Sequence, residues 1–415
     1  MSAEVAAPGG GRGHVLLAPD KFKGSLTAVE VVRHLAAGLR RACPPVEVRA
    51  FPVADGGEGT LDAALSAGFT RVPVRATGPT GAPVQTAFAY SSGVAVVELA
   101  DACGQRRLPG GVADPLGASS YGAGEVIRAA LGYGCREIVL GLGGSASTDG
   151  GTGLLRALGV RLLDDRGAEL PPGGAALCRL DRIDVSGLHP AVRRTRFVLA
   201  GDVDNPLLGP AGAAAVYGPQ KGATEADVVV LEAGLTRWAE VVAAACGTGA
   251  VAPAPAGSDD RQAAAGGLGL AGAPGAGAAG GVGFAALAFL GAVFRPGIAL
   301  LLDLLGFPAL LAGAGLVITG EGSLDAQSLR GKAPVGVASA AAAHGVPTVA
   351  VAGQVAVGPD DLRTVGIHRA YPLTDLEPDP AVCVAQAPRL LERLAGVVAR
   401  DWLEPSGRPH RSPAR

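Results

Sequence analysis

Aromatic residues and methionine are scarce in this chain: one Met, two Trp, five Tyr and nine Phe stand among 415 residues. Lysine is also rare, whereas Gly (65), Ala and Arg are abundant, a bias that reflects the genome as much as function. Charged residues make up 17% against 48% hydrophobic, which suits a globular enzyme with real cores and excludes global disorder. The 65 Gly and 31 Pro follow no collagen-like period. A net charge of −2, with no basic run interleaved with aromatics, gives no electrostatic case for nucleic acid. The six cysteines, at 43, 103, 135, 178, 246 and 383, form no CxxC and have no His at ligand spacing. A reduced, cytoplasmic set is expected rather than disulfides or zinc.

Targeting and membrane signals are missing too. The first residues, MSAEVAAPGGGRGH, lack the charged-then-apolar build of a signal peptide. The stretch Gln262–Phe294 is uncharged, but only the 13 residues Val282–Phe294 are strongly apolar, and Arg295-Pro296 follow. That is too short to span a bilayer, so a buried helix and no membrane partner are expected. There is no G-x-x-x-x-G-K-[ST] loop, no protein-kinase HRD or DFG set and no G-x-S-x-G elbow. P-loop kinases, protein kinases and triad hydrolases are thereby set aside.

What the chain does contain is a series of short apolar runs, each entering a polar, glycine-bearing loop. His14–Ala18, Val48–Ala54, Glu137–Leu142, Phe197–Ala200, Leu316–Thr319 and Val346–Ala352 read as buried strands. Ala28–Arg41, Leu61–Ala67, Gly117–Leu131 and Lys332–His344 read as helices between them. The alternation predicts an α/β fold with parallel sheets covered on both faces, and ligands at the carboxyl ends of the strands. Ala76–Leu108, with turns at Gly78–Gly81 and Ser91–Gly93, reads instead as antiparallel hairpins.

Two α/β domains are expected: a doubly wound one from 13–75, 117–160 and 295–400, and an inserted mixed one from 76–116 and 161–294. Residues 1–12 and 403–415 are expected to be flexible tails, and the Pro/Ala/Gly-rich Val251–Pro274 a surface loop or insertion.

The chemistry concentrates in the loops. A strand, Asp-Gly-Gly-x-Gly and a helix follow one another at Asp55–Gly59 and again at Asp149–Gly153. Glycines allow close backbone approach, the helix start offers unpaired N–H groups, and the Asp can hold Mg²⁺ or accept a proton. One such motif is commonly only an N-cap; two in one chain favour a site. Gly143, Gly144, Ser145 and Ser147 lie in a glycine/hydroxyl loop able to cradle a triphosphate without a P-loop lysine. Lys21 and Lys23 at one strand end, and Glu321, Asp325, Arg330 and Lys332 at another, supply cations for anions and acids for metal. G-x-G-x-x-G occurs at 267–272 and 275–280 without a preceding strand, so a dinucleotide site is not expected, although Gly275–Gly281 is placed to line a ligand. The set points to phosphoryl transfer.

APDKFKGSLTA (18–28), PVADGGEGT (52–60), GLGGSASTDGGTG (141–153), GDVDNPLLGPAGAAAVYGPQKGAT (201–224), PGAGAAGG (274–281) and ITGEGSLDAQSLRGKAP (318–334) together resemble the bacterial glycerate kinase family that includes glycerate 2-kinases. The resemblance implies ATP and glycerate as substrates, with phosphoglycerate and ADP as products and 2-phosphoglycerate favoured. It also implies a flavodoxin-like domain and a mixed α/β domain, with the active site in the cleft between. On that basis Lys21, Lys23, Ser25, Glu58, Arg330 and Lys332 are expected to bind substrate or assist catalysis. Asp55 or Asp149 would orient the attacking hydroxyl, Gly143–Ser147 would bind ATP phosphates, and Asp202, Glu321 or Asp325 would hold Mg²⁺. Lys21, Thr148 and Ser323 stand where the family commonly has Ser, Asn and Arg. A kinase of another small hydroxy acid is the nearer alternative; a nucleotide-dependent dehydrogenase or a noncatalytic binding protein is the farther one.

Overall fold

The computed structural model describes residues 13–247 and 267–403. The expected tails, except Leu403, and most of the insertion expected at 251–274 lie outside the described residues. In chain order the strands are β1 (His14–Pro19), β2 (Val48–Ala50), β3 (Thr70–Thr77), β4 (Pro83–Ser91), β5 (Val94–Glu98), β6 (Glu137–Gly141), β7 (Arg161–Leu163), β8 (Arg182–Asp184), β9 (Arg196–Gly201), β10 (Val293–Pro296), β11 (Ala314–Leu324), β12 (Thr348–Val355) and β13 (Ile367–Pro372). They belong to two compact units, residues 1–53 with 302–415 and residues 54–301.

The first unit holds one parallel sheet in the order β13-β12-β11-β1-β2. Counted within the unit, that order is 2-1-3-4-5, the flavodoxin-like doubly wound arrangement. Alternation along each strand sorts the two faces. Val349 and Val351 pack with Val15, Leu17 and the helices Ala28–Ala42 and Ala387–Trp402, whereas Ala350 and Ala352 pack with Ala338 and Leu362. Thr27 starts the helix Ala28–Ala42 by a capping box: its N–H donates to Glu30 Oε2 at 2.9 Å, and its hydroxyl accepts from the Glu30 N–H at 3.3 Å. The strand order reverses between β1 and β11; β1 ends in the polar loop 20–25, whereas Gly320–Leu324, expected from sequence as a loop, continues β11 beside β12.

The second unit is built on a six-stranded sheet, β10-β9-β6-β5-β4-β3. The first four are mutually parallel, and β4 and β3 are antiparallel, so the hairpin turns expected at 78–81 and 91–93 are present, whereas Leu99–Cys103 and Gln105–Arg107, expected within the hairpins, are helical. A small β7-β8 pair stands apart. The fully buried Trp238, on the helix Glu225–Gly247, stacks on Phe289 with ring centroids 5.6 Å apart. The apolar run 282–294 is a buried helix only to Phe289, since Val293–Pro296 turns into a strand beside β9. Among the described residues no helix is long and apolar enough to cross a membrane.

The domain division read from sequence is corrected. The strand β6, assigned to the doubly wound domain, lies between β5 and β9 in the other sheet, so 54–75 and 117–160 belong to the unit 54–301. Parallel strands pair across long crossovers, and a strand's own sequence does not say which sheet receives it.

Candidate active site

In the unit 54–301, the loop Asp55–Gly59 lies directly on the ends of β6 and β9. Gly56 has φ +92°, and a Cβ there would stand 2.5 Å from the Ala200 carbonyl oxygen. The Gly143 N–H donates to the Gly56 carbonyl at 3.1 Å. Glycine is required here because main chain packs on main chain. The Asp55 carboxylate accepts the Gly57 N–H at 3.2 Å and remains half-buried. Nearby, Asp202 is exposed and accepts the Gly297 N–H at 2.9 Å, while a Cβ on Gly297 would meet the Asp55 carbonyl. Asp55 and Asp202 thus flank one backbone position at the carboxyl end of the sheet.

The second Asp-Gly-Gly loop is different. Asp149 is fully buried. Its Oδ2 accepts from the Ser120 N–H (2.8 Å), the Ser120 hydroxyl (2.9 Å), the Gly153 N–H (3.1 Å) and the Ser119 hydroxyl (3.4 Å). Its Oδ1 accepts the Gly151 N–H at 3.1 Å. With its oxygens committed to five donors and sealed from solvent, Asp149 pins the loop to the start of the helix Tyr121–Gly132. This geometry contradicts the expected role in orienting a hydroxyl.

Between these loops lies the glycine/hydroxyl segment. Gly143 and Gly144 reach the surface; Ser145, Ser147 and Thr148 are buried. The Ala146 N–H is spent on the Cys103 carbonyl at 3.0 Å, as that of Gly143 is on Gly56, so the loop offers fewer amides than its sequence suggests. The segment Gly275–Gly281 buttresses it: the carbonyl of Gly280, at φ +68°, accepts the Gly150 N–H at 2.9 Å, and a Cβ there would collide with the Ser147 carbonyl. That close backbone packing accounts for glycine at 280 without a dinucleotide site, which the sequence did not lead one to expect.

Sequence reasoning missed Lys221. It is 6% exposed, and its ammonium donates to Ser145 Oγ at 2.9 Å and the Ser147 carbonyl at 2.6 Å. Burial pushes its pKa down to about 7, opposed by the negative field of Asp149. The signal was available: the chain has four lysines, at 21, 23, 221 and 332, and the other three stand in loops already singled out. Glu98 was missed as well. Buried at the end of β5, it accepts the N–H groups of Gly59 (3.1 Å) and Leu61 (3.0 Å) and so caps the helix Thr60–Ser66. Burial pushes its carboxyl up to about 7, opposed by the Leu61 hydrogen bond. Arg106 lies 3.1 Å from Glu58 and 3.8 Å from Glu98. A Cβ on Gly144 would stand 3.0 Å from Glu58 Cγ, so this acid–base group borders the hydroxyl loop.

In the other unit, the Asp20 carboxylate accepts the Lys21 N–H at 2.6 Å and lies 3.5 Å from the Lys21 ammonium. Lys23 is exposed, and the Ser25 hydroxyl donates to the Val384 carbonyl at 3.0 Å, anchoring the turn. A Cβ on Gly322 would lie 3.1 Å from the Lys23 backbone nitrogen, so the loop after β1 packs against the end of β11. Asp325 Oδ1 accepts the N–H groups of Gln327 (2.8 Å) and Ser328 (3.1 Å). The Ser328 hydrogen bond, with Lys332 nearby, holds its carboxyl below the ordinary value. Glu321 and Lys332 are half-buried; the side chain of Arg330 lies outside the described residues.

Asp202 belongs to one unit and Glu321 and Asp325 to the other, and no three His, Cys, Asp or Glu side chains form a ready metal cage among the described residues. Mg²⁺ usually keeps waters and binds one or two carboxylates plus substrate phosphates, so Asp55 and Asp202, hard oxygens open to solvent, fit that ion.

A flavodoxin-like unit and a mixed α/β unit, each with polar glycine loops at strand ends, define a class. The chain belongs to the glycerate kinase family, whose sequence model matches residues 15–403. It is 39% identical over 389 residues to the glycerate kinase of Halalkalibacterium halodurans, covering 93% of this chain and 97% of that one. It is 39% identical over 359 residues to the glycerate 2-kinase of Escherichia coli K12, covering 85% and 88%. A crystal structure of a provisionally assigned glycerate kinase 2 from Salmonella typhimurium LT2 superposes with a TM-score of 0.74 at 36% identity, over 94% of this chain and 100% of that one.

Proposed function

We propose that this chain transfers the γ-phosphoryl group of ATP to a hydroxyl of glycerate, with 2-phosphoglycerate the favoured product, in the cytoplasm. The observation that carries the proposal is the family match over residues 15–403, which takes in every loop described above. The loop chemistry supports it, since phosphoryl transfer asks mainly for positioned phosphates, cations and a carboxylate beside the acceptor hydroxyl.

In this reading the glycerate hydroxyl oxygen forms a bond to the γ-phosphorus, and the bond to the β–γ bridging oxygen breaks with its electron pair leaving on ADP. Asp55 orients the hydroxyl and takes its proton. Gly143–Ser147 hold the nucleotide phosphates. Lys21, Lys23, Arg330 and Lys332 serve the substrate carboxylate and the developing phosphate charge. Asp202, with Asp55 beside it, holds the Mg²⁺ of the nucleotide, and that ion supplies charge neutralisation on the phosphate oxygens.

Phosphorus NMR of the product from D-glycerate and Mg·ATP tests this. A 2-phosphate signal is expected, removed by EDTA and restored by Mg²⁺. A 3-phosphate signal corrects the position of transfer. ADP release with a different hydroxy acid and none with glycerate would overturn the substrate assignment.

A further inference from the structure

We infer that Lys221 is a positioning residue of the phosphate loop: its ammonium fixes Ser145 and the Ser147 carbonyl so that the loop meets the nucleotide phosphates in one conformation. The inference rests on the phosphoryl-transfer reading of that loop. Three observations carry it. First, the ammonium is buried and its two recorded acceptors, Ser145 Oγ and the Ser147 carbonyl, are both neutral oxygens. Asp149, whose field reaches it, has its own oxygens taken by five donors. A buried cation held only by neutral acceptors is a poor stabilising device, since an apolar chain of similar volume avoids its desolvation cost.

Second, Ser147 Oγ and Thr148 Oγ1, in the same loop, are buried and have no hydrogen-bond partner among the described residues. Buried hydroxyls are rarely left unpaired, so two adjacent ones beside a cation show a loop whose bonding the surrounding described residues leave incomplete. Third, the neighbouring segments converge on this loop. The Gln105 N–H donates to the Gly144 carbonyl at 3.1 Å, and its side chain donates to the carbonyl of Gln220, next to Lys221, at 3.1 Å. The turn that carries Lys221 and the segment 103–107 therefore hold the loop from either side. Its buried positive charge and its grip on the loop both favour an anion over neutral ligands.

The test uses full-length wild type, Lys221→Met and Lys221→Ala. Lys221→Met is expected to raise the KM for ATP and the Kd for Mg·ADP by about tenfold or more, with the KM for glycerate changed less than about twofold. Its Tm should change little, because the avoided desolvation of a buried ammonium offsets the loss of a donor to Ser145 Oγ and the Ser147 carbonyl. Ethylammonium should restore part of the ADP affinity of Lys221→Ala, and tetramethylammonium, which has no N–H, should not. An unchanged ATP KM and ADP Kd in the folded Met variant would overturn the inference. So would a fall in Tm with normal affinity per folded molecule, or equal losses for both substrates. Calorimetry with Mg·ADP needs no glycerate. A wild type that binds ADP but turns over no glycerate refutes the proposed substrate and leaves the Lys221 comparison intact; a wild type that binds no ADP overturns the Lys221 inference.

Discussion

Two aspartates in the same five-residue motif carry different duties. Asp55 has one recorded backbone donor and reaches solvent, whereas Asp149 is buried among five donors. Asp55→Asn should leave Tm within a few degrees and lower kcat by about 10²-fold or more, as loss of a general base does. Asp149→Asn should turn an amide NH₂ toward donors and cost on the order of 3–5 kcal/mol, read as a large fall in Tm. Full kcat in Asp55→Asn would remove it as the proton acceptor, and an unchanged Tm in Asp149→Asn would refute its anchoring role. The motif itself was legible in the sequence. Its two outcomes were not, because Ser119 and Ser120, thirty residues upstream of Asp149, come from another element.

At the scale of elements, the loops work through what packs beneath them. Gly24 and Gly56 both have positive φ, +79° and +92°, but a side chain at Gly24 would meet nothing within 4 Å. Gly24→Ala should therefore cost only backbone strain, about 1 kcal/mol. Gly56→Ala also drives a methyl group into the Ala200 carbonyl and should displace the whole Asp55 loop, lowering both Tm and kcat. Equal Tm values for the two variants would contradict this account. The four helices read from periodicity, at 28–41, 61–67, 117–131 and 332–344, are found to within a few residues, because local sequence decides which face is apolar. The run 282–294 was read as one helix, yet its last residues form β10, since pairing with β9 outweighs local preference.

At the scale of the whole molecule, buried ionisable groups tie stability to pH. The Glu98 carboxyl rises from its ordinary 4.5 to about 7 in the folded chain, chiefly through burial. Between those values the folded state holds a proton that the unfolded chain releases. Its contribution to stability is therefore full below pH 4.5 and is lost as pH rises through about 7. Glu98→Gln cannot titrate, so wild type should lose up to roughly 3 kcal/mol relative to this variant between pH 5 and 8. Parallel Tm-against-pH curves for the two proteins would exclude that burial effect.

By itself the sequence determined the α/β class, the flavodoxin-like order's ingredients, the family and the loops that carry polar chemistry. Each of these follows from local patterns: apolar runs of strand length, helical periodicity, and glycine beside carboxylate. Only the tertiary structure decided that β6 lies in the sheet of the unit 54–301, that Asp149 ties its loop to Ser119 and Ser120, and that Lys221 and Glu98 are buried. Burial and hydrogen bonding join residues far apart in the chain, and they decide whether a charged side chain faces a substrate or holds the fold.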